Sequence, residues 1–432
     1  MDKNKRQLGL VTAVSIVVAN MIGTGVFTTS GFLLGDLKSP LRVLAVWLVG
    51  GIIAACGALC YGALARRIPE SGGEYIFLSK TVHPAAGYIA GWISLLVGFS
   101  APLAAAAFAF GEYAKPYLFG CSPQLAGSIL LLLFAFVHSI DVKGGAFIQN
   151  FAVFLKIAII AGFVVFAIGR LNPPKTNVSG NFPWALFGVS LIWVSFSYSG
   201  WNAAIYIAGE IKNPEKNLPL SLILGTGIVT VAYLALNAVF VFSAPVEVLA
   251  GKLEVGRIAA NAIGGQLWAD VVSAIVALVL ISSVSSMIMA GPRVYSKMAA
   301  DGYLPGFFAQ QSGPPRTSIM LQLILSLIML WSATFDSLLT YIGFTLGIST
   351  AATVLGLIVL RIKEGASLKV PGWPIIPLLF IIAITAMTCF SIVRRPIESL
   401  FGFITILIGF LLYMIFSKNK FETKEDIEPQ DI

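Results

Sequence analysis

The chain has 432 residues, 57% of them hydrophobic and only 11% charged, with a mean hydropathy of +0.89. A water-soluble chain carries roughly 25% charged residues to keep its surface wet, so this composition excludes a soluble globular protein and sets the apolar surface against lipid. The formal net charge of +8 reports membrane orientation in such a chain rather than a nucleic-acid partner.

Apolar runs bounded by charge, Pro or Gly predict twelve helices, at 8–34, 41–65, 85–111, 123–140, 145–169, 184–209, 218–243, 267–291, 317–333, 335–360, 374–393 and 399–416. The basic start at residues 1–6 is not read as a cleavable signal, because the apolar run behind it is too long and further spans follow. The ninth and tenth runs are separated by little more than Ser332, Thr334 and Asp336. Residues 1–416 are thus expected to form one transmembrane domain and residues 417–432 a polar, mobile tail. Loops on the N-terminal side, holding Arg66, Arg67, Lys80, Lys143, Lys212, Arg293, Lys297 and Arg316 among others, carry about twice as many Lys and Arg as the alternate loops, which include Lys175. That bias puts both termini in the cytoplasm of a multi-pass protein of the cell membrane, and an even number of spans agrees. Cys56, Cys60 and Cys389 stand in apolar runs, where a thiol behaves as a small hydrophobe; Cys121 falls in a loop. Pro102 and Ala104 to Ala107 predict close helix packing.

The first and sixth runs share an interruption at mid-depth, Gly23-Thr24-Gly25 in one and Ser197-Tyr198-Ser199-Gly200 in the other. Helices one to five (8–169) and six to ten (184–360) are then two halves with an odd number of spans each, hence of opposite membrane orientation, followed by helices eleven and twelve (374–416). Broken helices at matching positions of inverted halves point to a transporter's binding site. Unwinding frees backbone N–H and C=O groups that ligand, water or protein must satisfy. N–H groups at the start of a half-helix suit a carboxylate, and carbonyls at the end of the preceding half suit an ammonium, so two adjacent breaks can hold a zwitterion. The carboxylate is assigned to Gly23, Thr24 and Gly25, and the amine to the carbonyls of Met21, Phe196 and Ser199. Taken alone, Gly23 to Gly25 is equally a helix-packing notch; the second break favours a site.

The run Met21-Ile22-Gly23-Thr24-Gly25-Val26-Phe27 resembles the first-helix motif of the amino acid–polyamine–organocation superfamily. Phe196-Ser197-Tyr198-Ser199-Gly200-Trp201-Asn202 followed by Glu210-Ile211-Lys212-Asn213-Pro214 is similar to its L-type amino-acid transporter branch. Pro69-Glu70-Ser71-Gly72-Gly73-Glu74-Tyr75 and Met298-Ala299-Ala300-Asp301-Gly302-Tyr303-Leu304-Pro305 resemble the loops after the second and eighth helices, and the likeness runs through Arg361 into the last two helices. The resemblance implies an all-α membrane protein of LeuT-type fold: twelve transmembrane helices, 5+5 inverted repeats, helices one and six broken. It further implies sodium-independent amino-acid movement, often by exchange. The substrate would lie against Met21, Ile22, Gly23, Thr24, Gly25, Phe196, Ser197, Ser199, Gly200, Trp201 and Asn202, with Phe196 as an aromatic lid and Trp201 as a wall. Lys156, near the middle of the fifth run and too deep to snorkel, matches a lysine that stands where sodium-coupled relatives hold a cation. Its expected partners are Ser282, Ser283, Ser285 and Ser286. Lys156 is read as a brace with state-dependent contacts, with a proton carrier as the alternative. Animal members pair with a heavy chain through a cysteine in the loop where Cys121 falls. The short termini resemble those of bacterial members, so Cys121 is read as a free thiol and no obligatory protein partner is expected.

No Asp or Glu lies at mid-depth in helices one, three, six, eight or ten, which favours neutral substrates, because a cationic side chain in so dry a place wants a counter-charge. Two His, no mid-membrane carboxylate pair and no metal-ligand cluster argue against a membrane enzyme; no cofactor or metal is expected. A non-transporting sensor on the same fold is the remaining class. Expected partners are therefore small-molecule amino acids and the lipid bilayer.

Overall fold

A helix occupies each predicted apolar run. The computed structural model describes residues 8–118, 120–140, 145–171, 182–309 and 314–425, and their side chains except at 145–152 and 417–425. The basic start at 1–6, Lys143, Lys175 and the tail's last residues, 426–432, lie outside the described residues.

The first run divides into α1 (Leu10–Met21) and α2 (Thr24–Leu37). α3 (Pro40–Arg67) starts sharply, with Ser39 capping it and Pro40 at its first position, where a missing N–H costs nothing. The short α4 (Glu74–Thr81) leads into α5 (Pro84–Ile93), which passes through a π-helical stretch at Ser94–Ser100 into α6 (Ala101–Ala114). That wider turn accommodates Pro102, which cannot supply an interior N–H. α7 (Pro123–Ser139), α8 (Gly145–Ala167) and α9 (Trp184–Tyr198) follow, then a 3₁₀ segment at Ala203–Glu210 and α10 (Pro214–Ser243). Two short helices, α11 (Val246–Leu249) and α12 (Val255–Gly264), precede α13 (Gln266–Ala300), α14 (Arg316–Ser332), α15 (Phe335–Glu364), α16 (Ile375–Arg394) and α17 (Pro396–Glu425).

The narrow gap expected between the ninth and tenth runs falls at Ala333 and Thr334, where the Thr334 hydroxyl caps α15 by accepting from the Ser337 amide. The last helix runs on to Glu425, into the segment expected to be a separate tail. Among the described residues, by length and composition, eight helical stretches can each cross a membrane, and Pro123–Ser139, Val153–Ala167 and Arg316–Ser332 are shorter apolar helices. The chain is an all-helical, multi-pass membrane protein. Among the described residues the isolated extended pairing is a parallel bridge between Leu8 and Ile211.

α3 lies along α10, and α2 against α9. Small residues permit this closeness. A Cβ on Gly225 of α10 would lie 2.6 Å from a methyl of Val17 on α1, and one on Gly62 of α3 would lie 3.1 Å from Pro219 on α10. Ala104 to Ala107 are wholly buried where α6 meets α7, as their small size predicts, and a Cβ on Gly127 would lie 2.7 Å from the Ala107 carbonyl. Leu132, Leu133 and Phe136 on α7 and Leu400, Leu407 and Leu411 on α17 turn outward, the pattern of a lipid-facing rim.

Candidate functional site

α1 stops where Ile22 (φ −75, ψ 87) and Gly23 (φ −134, ψ −143) leave the helical region, and α2 starts at once with no side chain capping it. Its first N–H groups therefore point into the interior without intrahelical partners. α9 stops at Ser199 (φ −55, ψ 147), and Gly200 takes φ +96, a left-handed conformation that favours glycine. The chain resumes as the 3₁₀ segment Ala203–Glu210.

The two interruptions touch. A Cβ on Gly25 would sit 2.3 Å from Ser197 Oγ, and one on Gly200 would sit 2.8 Å from the Asn20 carbonyl oxygen. Thr29 Oγ1 and Ser197 Oγ are 3.0 Å apart and share a hydrogen bond. Tyr233 on α10, which sequence reasoning missed, ties the breaks together: its hydroxyl lies 2.5 Å from the Met21 carbonyl and 3.0 Å from that of Ser197. A phenol has one proton to donate, so the two carbonyls share it. One turn on, Asn237 accepts from the Ser30 hydroxyl, which also accepts from the Trp47 indole at 3.0 Å.

A cavity of about 600 Å³ opens beside the breaks. Gly23, Phe196, Ser199, Gly200, Trp201 and Asn202 form part of its wall, together with Ser283 and Ser286 of α13. Beside Gly23 a methyl would fit without a clash: an added Cβ would meet Ser283 Oγ at 3.8 Å, an ordinary van der Waals distance. Trp201 is braced edge-on against Tyr61, with ring centroids 4.6 Å apart, and is mostly buried, as is Phe196. Met21, Ile22, Thr24, Gly25 and Ser197 stand behind this wall rather than in it. The Met21 carbonyl is engaged by Tyr233 and the Ile22 carbonyl by Lys156, while Gly25 serves the crossing of α2 and α9. Lys156 on α8 is 6% exposed, and its ammonium donates to the Ile22 carbonyl at 3.4 Å. The four serines divide. Ser283 and Ser286 reach the cavity, whereas Ser285 pairs with His138 Nε2 on α7 at 2.9 Å and Ser282 is not part of the wall.

The cavity extends to the start of α1 and the ends of α3 and α13, reaching Leu8, Thr12, Ser71, Glu210, Arg293 and Lys297. Away from that opening α2 is pinned to its neighbours: the Gly251 amide donates to the Gly31 carbonyl at 2.7 Å, and Tyr113 donates to the Phe27 carbonyl at 2.6 Å. Asn20, at the end of α1, is exposed to the cavity.

An acid reaches this wall that no single span reveals. Glu74, the first residue of α4, is 4% exposed and lines the cavity. It accepts from Tyr61 at 3.1 Å, from Asn202 at 2.5 Å and from Tyr206 at 2.7 Å. Its neighbour Tyr75 donates to Asp301 at 3.0 Å. Burial, and then the Asp301 carboxylate, push that phenol well above its ordinary range, so it remains a donor at neutral pH. The signal available in the sequence was the Ser71-Gly72-Gly73-Glu74 turn, legible as a loop but not as part of the site.

The family model described as amino acid permease matches residues 8–413. The chain is 28% identical over 437 residues to the b(0,+)-type amino acid transporter 1 of Homo sapiens, covering 96% of this chain and 89% of that protein. It is 29% identical over 438 residues to the large neutral amino acids transporter small subunit 2 of Mus musculus, covering 95% and 81%, and 28% identical to the Homo sapiens protein of the same name, covering 95% and 80%. Two of these relatives are named as small subunits, so they lend no support to the expectation of a chain without a protein partner. Cys121 is half-buried and forms no disulfide within the described residues. The match along nearly the whole chain, on a fold whose broken helices wall one cavity, makes the chain a member of the amino acid permease family within the amino acid–polyamine–organocation superfamily: a multi-pass membrane transporter of amino acids and not an enzyme.

Proposed function

We propose that the chain is a sodium-independent exchanger of neutral L-amino acids, working by alternating access through a LeuT-type arrangement of twelve spans, with inverted halves at 8–169 and 184–360 and both termini in the cytoplasm of the cell membrane. The observation that carries the reading is the shared cavity of two interrupted helices, whose uncapped amides and end carbonyls suit a zwitterion. The substrate carboxylate lies at the start of α2 beside Gly23, the amine at the carbonyls where α9 ends, and the side chain against Phe196, Trp201 and Asn202. With its opening on the side of the α1 start, the cavity faces inward. Lys156 places its ammonium beside the α1 break, which supports independence from a coupling cation. The neutral reading is supported by Glu74, whose oxygens are already engaged by three donors, and by the large neutral amino acids named for two of the relatives.

Reconstituted in liposomes, the protein is expected to take up labelled neutral amino acid only when amino acid is present inside, with or without a sodium gradient. Uptake into empty vesicles driven by a proton gradient would instead establish a proton symporter, the second reading, which the ionisable Lys156 and Glu74 at the site favour. Phe196→Ala and Trp201→Ala are each expected to lower flux about tenfold or more, the scale of losing an apolar pocket contact; wild-type flux in both would remove these rings from the substrate path.

A further inference from the structure

Three motifs of the sequence meet at the mouth of the cavity. The turn Ser71-Gly72-Gly73-Glu74-Tyr75 is moulded onto the 3₁₀ segment Ala203–Glu210. Ser71 Oγ accepts from the Gly209 amide at 2.9 Å. Gly73 has φ +59, and a Cβ there would sit 2.3 Å from Cε1 of Tyr206, so both its conformation and its closeness to that ring demand glycine. Glu74 then places its carboxylate under Asn202 and Tyr206 of the broken sixth span and against Tyr61 of α3. Tyr75 completes the turn by donating to Asp301 at the end of α13, which also accepts from Lys297 at 2.6 Å.

The start of the first span is sewn to the same 3₁₀ segment. The Leu8 amide donates to the Glu210 carbonyl at 3.0 Å, and the Lys212 amide to the Leu8 carbonyl at 2.8 Å. The halves of both broken helices that lie towards the cavity mouth therefore form one body, and the Ser71–Tyr75 turn holds that body to α3 and α13. Glu74 is its central contact. A carboxylate is purely an acceptor, all three of its partners are neutral donors, and bonds to an ionised acceptor are about twice as strong as neutral ones.

We propose that Glu74 is a positioning residue for transport: it clasps the mouth-side halves of both broken helices and, through Asn202, sets the cavity wall against the substrate. A glutamine here would turn its amide nitrogen towards one of the donors and lose the charge, whereas an aspartate keeps the charge on a shorter arm. The proposal rests on the transport reading above, but its test does not depend on which amino acid is carried or on its coupling.

The experiment places a single reporter cysteine at Asn20→Cys, in full-length purified protein whose four native cysteines are replaced, and measures its labelling rate by a maleimide without substrate. Glu74→Gln and Tyr206→Phe, the milder change, are each expected to speed labelling about tenfold, the weight of one charge-assisted hydrogen bond, with the melting midpoint near that of the unsubstituted reporter protein. In the double variant the effects are non-additive, because both changes remove the same contact. Glu74→Asp restores slow labelling in part. In transport assays without the reporter, Glu74→Gln raises KM for exchanged amino acid more than it lowers the maximal rate. Unchanged labelling and KM in folded Glu74→Gln and Tyr206→Phe proteins, with only a lower melting midpoint, would reduce Glu74 to a brace and overturn the proposal. If Glu74→Gln fails to fold, Tyr206→Phe decides alone. Faster labelling in a protein that exchanges no amino acid would leave the clasp standing and sink the exchange reading instead.

Discussion

Lys156→Ala is expected to abolish exchange while leaving most of the protein folded. The ammonium is almost wholly buried and donates to the Ile22 carbonyl, one residue before Gly23 at the cavity wall. An ionised side chain at mid-membrane is costly and persists where it has a role. Removing it frees the Ile22 carbonyl from a charged donor, a bond worth about 1.5–3 kcal/mol, and withdraws positive charge from the place where the substrate carboxylate is assigned. At 3.4 Å the bond is long, so a modest movement of the α1 break can make or break it, as a state-dependent contact requires. Counterflow per folded molecule and the melting midpoint of the same preparation check this together. A protein that melts early yet exchanges normally would mark the lysine as a brace only. Lys156→Arg is expected to fail as well, because a planar guanidinium does not substitute for a compact point charge in a fitted space.

Gly25→Ala and Gly23→Ala, two residues apart in one motif, are expected to fail for opposite reasons. At position 25 the new methyl would lie 2.3 Å from Ser197 Oγ and 2.5 Å from its Cα. Relief requires α2 and α9 to separate, and such overpacking costs about 1–3 kcal/mol. Folded yield and melting midpoint should fall, and activity with them. At position 23 the nearest atom would be 3.8 Å away, so the fold survives, but the methyl enters the space assigned to the substrate. Flux should drop about tenfold or more, the scale of one misplaced methylene in a fitted pocket, with an unchanged melting midpoint. If Gly23→Ala transports normally, the substrate does not approach the α1 break.

The same pair shows how far the primary sequence carries. Gly23-Thr24-Gly25 reads equally as a packing notch and as a ligand cradle, and the folded chain divides it: Gly25 is the notch, and Gly23 borders the cavity. The serines of α13 make a similar point. Successive residues on a helix turn by about 100°, so four hydroxyls within five positions cannot all face one seam. Ser283 and Ser286 face the cavity while Ser285 faces His138.

The sequence by itself determined the solvent of each segment, and hence the membrane setting, the helical runs, the mid-span placement of Lys156 and the interruptions at Gly23 and Ser199-Gly200. Those features are local: hydropathy over about 20 residues, and the conformations that glycine permits. Only the tertiary structure decided which groups meet at the interruptions. Tyr233 reaches the Met21 carbonyl from 212 positions away, and Glu74 reaches Asn202 across 128. Neither residue stands out in its own segment, one being an aromatic in an apolar helix and the other an acid in a polar loop. Their roles arise from the rotation of each helix about its axis and from close approaches allowed by glycine, which are properties of packed neighbours rather than of any one stretch of chain.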